Sequence, residues 1–130
     1  MNPLEWKRAV IDRDAGCVVH HDCEGQLQAH HVVTQQHLRK RGLSAWRWDR
    51  RIGLTVCERA HRRHHSARQR IPFDSLPLEV VRFVAGTLGL DWYLEKFYAD
   101  APSPELEQDL AAATGRARLR GWERRGGFVR

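Results

Sequence analysis

The chain has 130 residues, enough for one domain with a modest core, and its 22 Lys and Arg outnumber its 16 Asp and Glu for a formal charge of +6. No apolar run reaches the roughly 18 residues of a membrane helix, and the opening MNPLEWKRAV has no apolar signal region, so a cytoplasmic, non-membrane protein is expected. Three cysteines, an odd number, argue against a disulfide framework.

The charge is unevenly spread. Residues 1–70 hold 14 basic and 7 acidic side chains, residues 71–110 hold 2 and 8, and residues 111–130 hold 6 and 1. The basic side chains are nearly all Arg, whose planar fork suits phosphate. A polyanionic partner fits the basic front and tail.

In chain order, PLEWKRAVIDRD predicts a helix from Pro3 to Asp14, with proline early in the first turn. DAG then turns the chain. CVVHHDCEG reads as a short strand or a knuckle with a cysteine at each end, and QLQAHHVV as a strand. A long polar and basic connection follows, TQQHLRKRGLSAWRWDRR, with its tryptophans expected to turn inward and its basic residues outward. RIGLTVC predicts a second strand and ERAHRRHHSARQR a helix. PLEVVRFVAGTLG predicts an amphipathic helix with Leu78, Val81, Val84, Ala85 and Leu88 on one face and a stop at Gly86 or Gly89. In the next helix, LDWYLEKFYAD, Asp91 is the expected N-cap. A last helix, about Pro104 to Thr114, is expected to be capped by Ser103, and the Gly- and Arg-rich stretch after it to be flexible.

All eight histidines lie between His20 and His65. His61 and His65 are spaced i, i+4, which puts both rings on one helix face, near enough to share a cation. A zinc-protease helix would carry Glu after the first of them; Arg62 stands there, and that chemistry is set aside. His30 and His31 are neighbours on a predicted strand, where successive side chains point to opposite faces. That alternation suggests one ligand and one base.

AHHVV, then a strand ending in GLTVC, then ERAHRRHH, resembles the HNH endonucleases, and the downstream helices resemble the extension of phage-type members. The resemblance implies an α+β fold. Its ββα-metal core would span about residues 17–68 with flanking N-terminal and C-terminal helices, inside a single nuclease domain over residues 1–100, followed by a basic tail over 101–130. It implies His31 as general base and His30, His61 and His65 as ligands of a divalent ion, for which Zn, Mn, Ni, Co and Mg are the candidates. Imidazole favours the first four over Mg. It implies hydrolysis of DNA to 5′-phosphate and 3′-hydroxyl ends, with one such site nicking one strand.

Where the family has a central Asn, nine residues before the first helical His, this chain has Ile52. In members with three histidine ligands that Asn pins the loop between the strands, so the resemblance implies weakened activity here. Asp49 is the nearest polar substitute.

Many family members hold a second, structural zinc on paired CxxC knuckles. Here Cys17, Cys23 and Cys57 give an incomplete set to which His20 or His21 could add a fourth ligand; the other reading is three buried thiols. Arg59, Arg62, Arg63 and Arg68 beside the helical histidines, and Arg39, Lys40 and Arg41 in the long connection, are the expected nucleic-acid contacts. Two other expectations stand beside the nuclease. One is a catalytically inactive, zinc-containing nucleic-acid-binding module; the other, resting on the acidic 71–110 segment, is docking to phage packaging machinery in the host cytoplasm.

Overall fold

The computed structural model describes residues 1–115, and the segment read as a flexible tail beyond them lies outside the described residues. The fold is α+β, with a single two-stranded antiparallel sheet among the described residues and helices around it. The chain divides into two compact units, Met1–Gln69 and the part from Arg70 onward. Among the described residues, no helix is long and apolar enough to cross a membrane.

In the first unit, helix α1 spans Pro3–Asp14, as the sequence predicts, with Asn2 accepting from the Glu5 N–H at its start. Strand β1, Leu27–His31, pairs with β2, Gly53–Cys57, in a register that sets His30 opposite Leu54 and His31 opposite Gly53. All five residues of β2 are buried, because the ribbon is covered on both faces. On the face shared by His31, Gly53 and Thr55 lies α1. A Cβ at Gly53 would sit 2.6 Å from the Trp6 ring and 2.7 Å from Val10, so only glycine admits the helix this closely. The carboxylate of Asp14 accepts from the Thr55 N–H at 2.8 Å, and Arg13 donates to the carbonyls of Arg50 (2.8 Å) and Gly53 (2.6 Å). Helix α3, Glu58–His65, follows β2 without a loop and presents its imidazoles to His30 from the ribbon's other side.

The connection between the strands is not a bare loop. It folds into helix α2, Gln35–Lys40, capped by Thr34, and two 3-10 turns, Ser44–Trp46 and Arg50–Ile52. The segment from Cys17 to Cys23 makes no strand. His20 and Asp22 take left-handed φ angles of 55° and 53°, which makes it a knuckle, and the Val18 N–H donates to the Thr55 carbonyl at 2.9 Å.

In the second unit, helix α4, Leu78–Val81, runs into a π-helical stretch, Arg82–Thr87. Val81, Val84 and Ala85 are buried as the sequence predicts, Val80 and Phe83 join them because the wider turn broadens the buried face, and Leu78 is exposed. Gly86 therefore does not stop the helix. It sits where helix α6, Pro104–Thr114, comes close, and the left-handed Gly89 (φ 68°) ends the element. Asp91 is buried as the first residue of helix α5, Asp91–Phe97, and does not cap it. Ser103 caps α6, its hydroxyl accepting from the Leu106 N–H at 3.3 Å.

Helix α3 is shorter than the sequence suggests. The Arg68 N–H bonds the Arg63 carbonyl and the Ala67 N–H bonds the His64 carbonyl, both at 3.0 Å, with Ala67 at φ 59°. This is a Schellman ending with alanine where glycine is usual. A left-handed alanine costs roughly 1 kcal/mol. Ala67→Gly is therefore expected to stabilise the fold by about 0.5–1 kcal/mol, read as a higher midpoint in denaturant.

Candidate functional site

Four imidazoles meet where α3 crosses β1. His30 is buried, 4% exposed, and its ring centroid lies 5.0 Å from that of His61, 5.1 Å from His64 and 5.5 Å from His65. One ring nitrogen each from His30, His61 and His65 can be chosen so that all lie within 4.8 Å of one another. These are the three residues expected as ligands. His64 is buried against His30 but does not join that donor set.

The hydrogen bonds decide which nitrogens carry protons. His61 Nδ1 lies 2.6 Å from Gln28 Oε1, and an amide oxygen only accepts, so Nδ1 donates and Nε2 keeps its lone pair. That Nε2 is 2.9 Å from His65 Nε2. That contact is met either by a proton on His65 Nε2, which then donates to His61, or by a cation shared between two lone pairs. Zinc–nitrogen bonds of about 2.0–2.1 Å would set neighbouring ligand nitrogens about 3.3 Å apart, a small adjustment from what is observed. A ligand histidine held by a hydrogen bond at its second nitrogen is the usual arrangement at metal centres. The donor set thus fits a divalent ion that accepts imidazole.

His31, next in the strand, points the other way. Its ring stacks on Trp6 at 4.3 Å between centroids and 20° between planes, and meets Trp48 edge-on at 5.3 Å. His31 Nε2 lies 2.7 Å from the Arg47 carbonyl, so Nε2 carries the proton and Nδ1 is the basic nitrogen. A cleft of about 310 Å³ at the edge of β1 is lined by Trp6, Lys7, Gln28, Ala29, Trp48 and His61.

The loop between the strands is pinned without an asparagine. Ile52 is fully buried and fills the core. Asp49 takes over the polar work: its carboxylate accepts from the Arg51 N–H at 2.9 Å, and its carbonyl accepts from Trp6 Nε1 at 2.8 Å. Trp48 turns inward as expected, whereas Trp46 is exposed.

The three thiols form a second cluster. Cys17, Cys23 and Cys57 bring their sulfurs within 4.8 Å of one another; His20 is exposed and outside the group. Cys23 is exposed, so the reading of three buried thiols does not hold. Hydrogen bonding to Cys17 pushes the Cys23 thiol up to about 11. Burial raises Cys57, but hydrogen bonds from the backbone N–H groups of Ala60 and Glu24 and from the Cys23 and Cys17 thiols together outweigh it, and its net shift is downward. Cys57 also caps α3, its sulfur accepting from the Ala60 N–H at 3.4 Å.

The arginines of α3 do not surround the imidazoles. At about 100° per residue, Arg59, Arg62, Arg63 and Ser66 fall on the flank turned away from His61 and His65. With Arg68 they line a separate concavity of about 490 Å³. Arg59 pairs with Asp22 at 2.6 Å and with Glu24, and Arg63 reaches Asp22 at 3.3 Å, so these two tie the knuckle to the helix. Arg39, Lys40 and Arg41 are exposed around the end of α2. Trp6, Gln28 and Trp48 are the site residues that the sequence did not reveal. Each owes its place to a partner distant in the chain.

Comparisons with protein-family models, with curated proteins and with solved structures gave no match to this chain.

Two outcomes follow from this geometry. Ile52→Asn would bury an amide where the loop is already held, and a loss of roughly 1–3 kcal/mol is expected in a denaturant titration. The second concerns pH. Burial, then the neighbouring His64, His61 and His65, holds His30 well below the usual histidine range, and burial also lowers His61 and His31. The unfolded chain takes up these protons near pH 6.5 and the folded chain takes them up only at lower pH. Stability is therefore flat with respect to these groups above about pH 6.5 and falls as the pH drops below it, which thermal melts at pH 7.5 and 5.0 will register.

Proposed function

We propose that this chain is a metal-dependent DNA endonuclease of the ββα-metal type, with the resemblance to HNH enzymes extending to mechanism. The observation that carries the reading is the convergence of His30, His61 and His65 donor nitrogens within 4.8 Å, with His31 next to His30 in the strand and held at one nitrogen by a carbonyl. The strand–strand–helix order of β1, β2 and α3 agrees with it.

In this reading His30, His61 and His65 hold the ion, and Gln28 keeps His61 in the tautomer that can do so. When bound, a divalent ion supplies positive charge against the phosphodiester oxygens and the departing 3′ oxygen. His31 takes the proton from the attacking water. The Arg47 carbonyl fixes the ring and stabilises the imidazolium that forms, and Trp6 keeps solvent from one ring face. A ring that burial keeps neutral near pH 7 is ready to accept that proton. The basic front half of the chain, with Arg39, Lys40 and Arg41 exposed, supports a phosphate backbone as the partner.

The cysteine cluster favours a second reading, a structural zinc in a nucleic-acid-binding module without turnover. The cluster is separate from the imidazoles and needs none of them.

Plasmid relaxation separates the two. With added Mn, supercoiled plasmid is expected to become open circles, by one nick per event if the chain acts as a monomer. His31→Ala is expected to slow this by about 100-fold or more while metal binding persists. Elemental analysis is expected to give two zinc ions per chain. One should be lost in a His61→Ala, His65→Ala double variant and the other in Cys57→Ser. Retained zinc and DNA binding without any metal-dependent nicking would leave only the binding module.

A further inference from the structure

The cleft at the edge of β1 has features that metal chemistry does not require. Its volume, about 310 Å³, is at the small end of ligand sites and suits one nucleotide-sized group. Two indoles form its walls. Trp6 is buried and braced by the stacked His31 and by the hydrogen bond from its Nε1 to the Asp49 carbonyl. Trp48 is half-buried and sits edge-on to Trp6 at 5.5 Å and to His31 at 5.3 Å. Rings already locked in place lose little freedom on meeting a ligand.

The polar lining is sparse and specific. Lys7 is exposed and supplies the cleft with a cation. Gln28 gives its Oε1 to His61, which leaves its amide N–H groups as donors toward the cleft. His61 itself lines the wall, so an occupant lies against the imidazole cluster. A flat aromatic wall, one ammonium and one amide donor together match a planar heteroaromatic ring joined to an anion.

A base inside a regular duplex presents only its edges; its faces are stacked on its neighbours. To put a face against Trp48 the base must leave the stack, at a cost of a few kcal/mol in a duplex and much less in an unpaired strand. We infer that this cleft takes an unpaired nucleobase next to the phosphate at the imidazole cluster, with its ring on Trp48 and its phosphate on Lys7. The chain therefore prefers single-stranded or locally unpaired DNA to uniform duplex. The phrase "next to the phosphate" rests on the nuclease reading; occupancy of the cleft does not.

The test is a binding experiment with the full chain as purified and no metal added. The probe is a DNA 12-mer carrying one 2-aminopurine, used single-stranded and fully paired at one salt concentration. The expected result is quenched 2-aminopurine emission with the single strand only, and single-strand binding at least about tenfold tighter than duplex binding. Trp48→Leu should abolish the quench and weaken single-strand binding about tenfold. Equal affinity for the two forms, or a Trp48→Leu protein that binds and quenches like the parent, overturns the inference. Should Trp48→Leu fail to fold, Lys7→Gln at its exposed position is read instead, and single-strand affinity unchanged in that variant overturns it. A parallel plasmid assay with Mn keeps the two readings apart. Quenching without nicking removes the nuclease and leaves the cleft, whereas nicking without quenching or strand preference removes the cleft and leaves the nuclease.

Discussion

A ribbon of two five-residue strands is too small to hold itself together in water. Here it is pressed between two helices, and that constraint organises the first unit. With α1 on one face and α3 on the other, every residue of β2 is buried, and the alternation of side chains along β1 acquires a meaning. His30 must face α3 and His31 must face α1. The antiparallel register fixes this, since a slip by one residue would exchange the two rings. Gly53 and Trp6 set how closely α1 approaches, and so how tightly the indole covers His31.

The imidazole cluster carries its own electrostatic logic. With the rings at 4.6–6.2 Å centroid spacings, burial and then the neighbouring imidazoles lower the pKa of His30, and burial and then His65 lower that of His61. Neutral imidazoles are the form that binds a cation. The arginines of the same helix point to the other flank, and Arg59 and Arg63 are balanced there by Asp22 and Glu24. The histidine-rich stretch is therefore two surfaces on one helix, one of imidazoles and one that is ionic.

Periodicity made much of this legible. The bounds of α1, the two strands, the His61–His65 spacing and the Ser103 cap all follow from local pattern, because each depends on residues within a turn or two. What failed depends on distant partners. The connection between the strands gave no signal for α2, since Thr34 and Leu38 are ordinary residues until the core receives Leu38. Asp91 looks like a cap until burial claims it, and the π-helical stretch adds Phe83 to a face for which a 3.6-residue period gave Val81, Val84 and Ala85. The sequence alone does not reveal that Asp49, Trp6 and Arg13 hold the loop in which Ile52 is buried. Gln28 and Trp48 carry no motif. They matter through contacts with His61 and His31, 33 residues and a full loop away respectively.

Helix α3 is the shared wall of both clusters. Cys57 closes its first turn, and His61 lies four residues on, about 6 Å along the axis. One short helix thus sets the spacing between the two donor groups, with Cys57 at its start and His61 and His65 along its length.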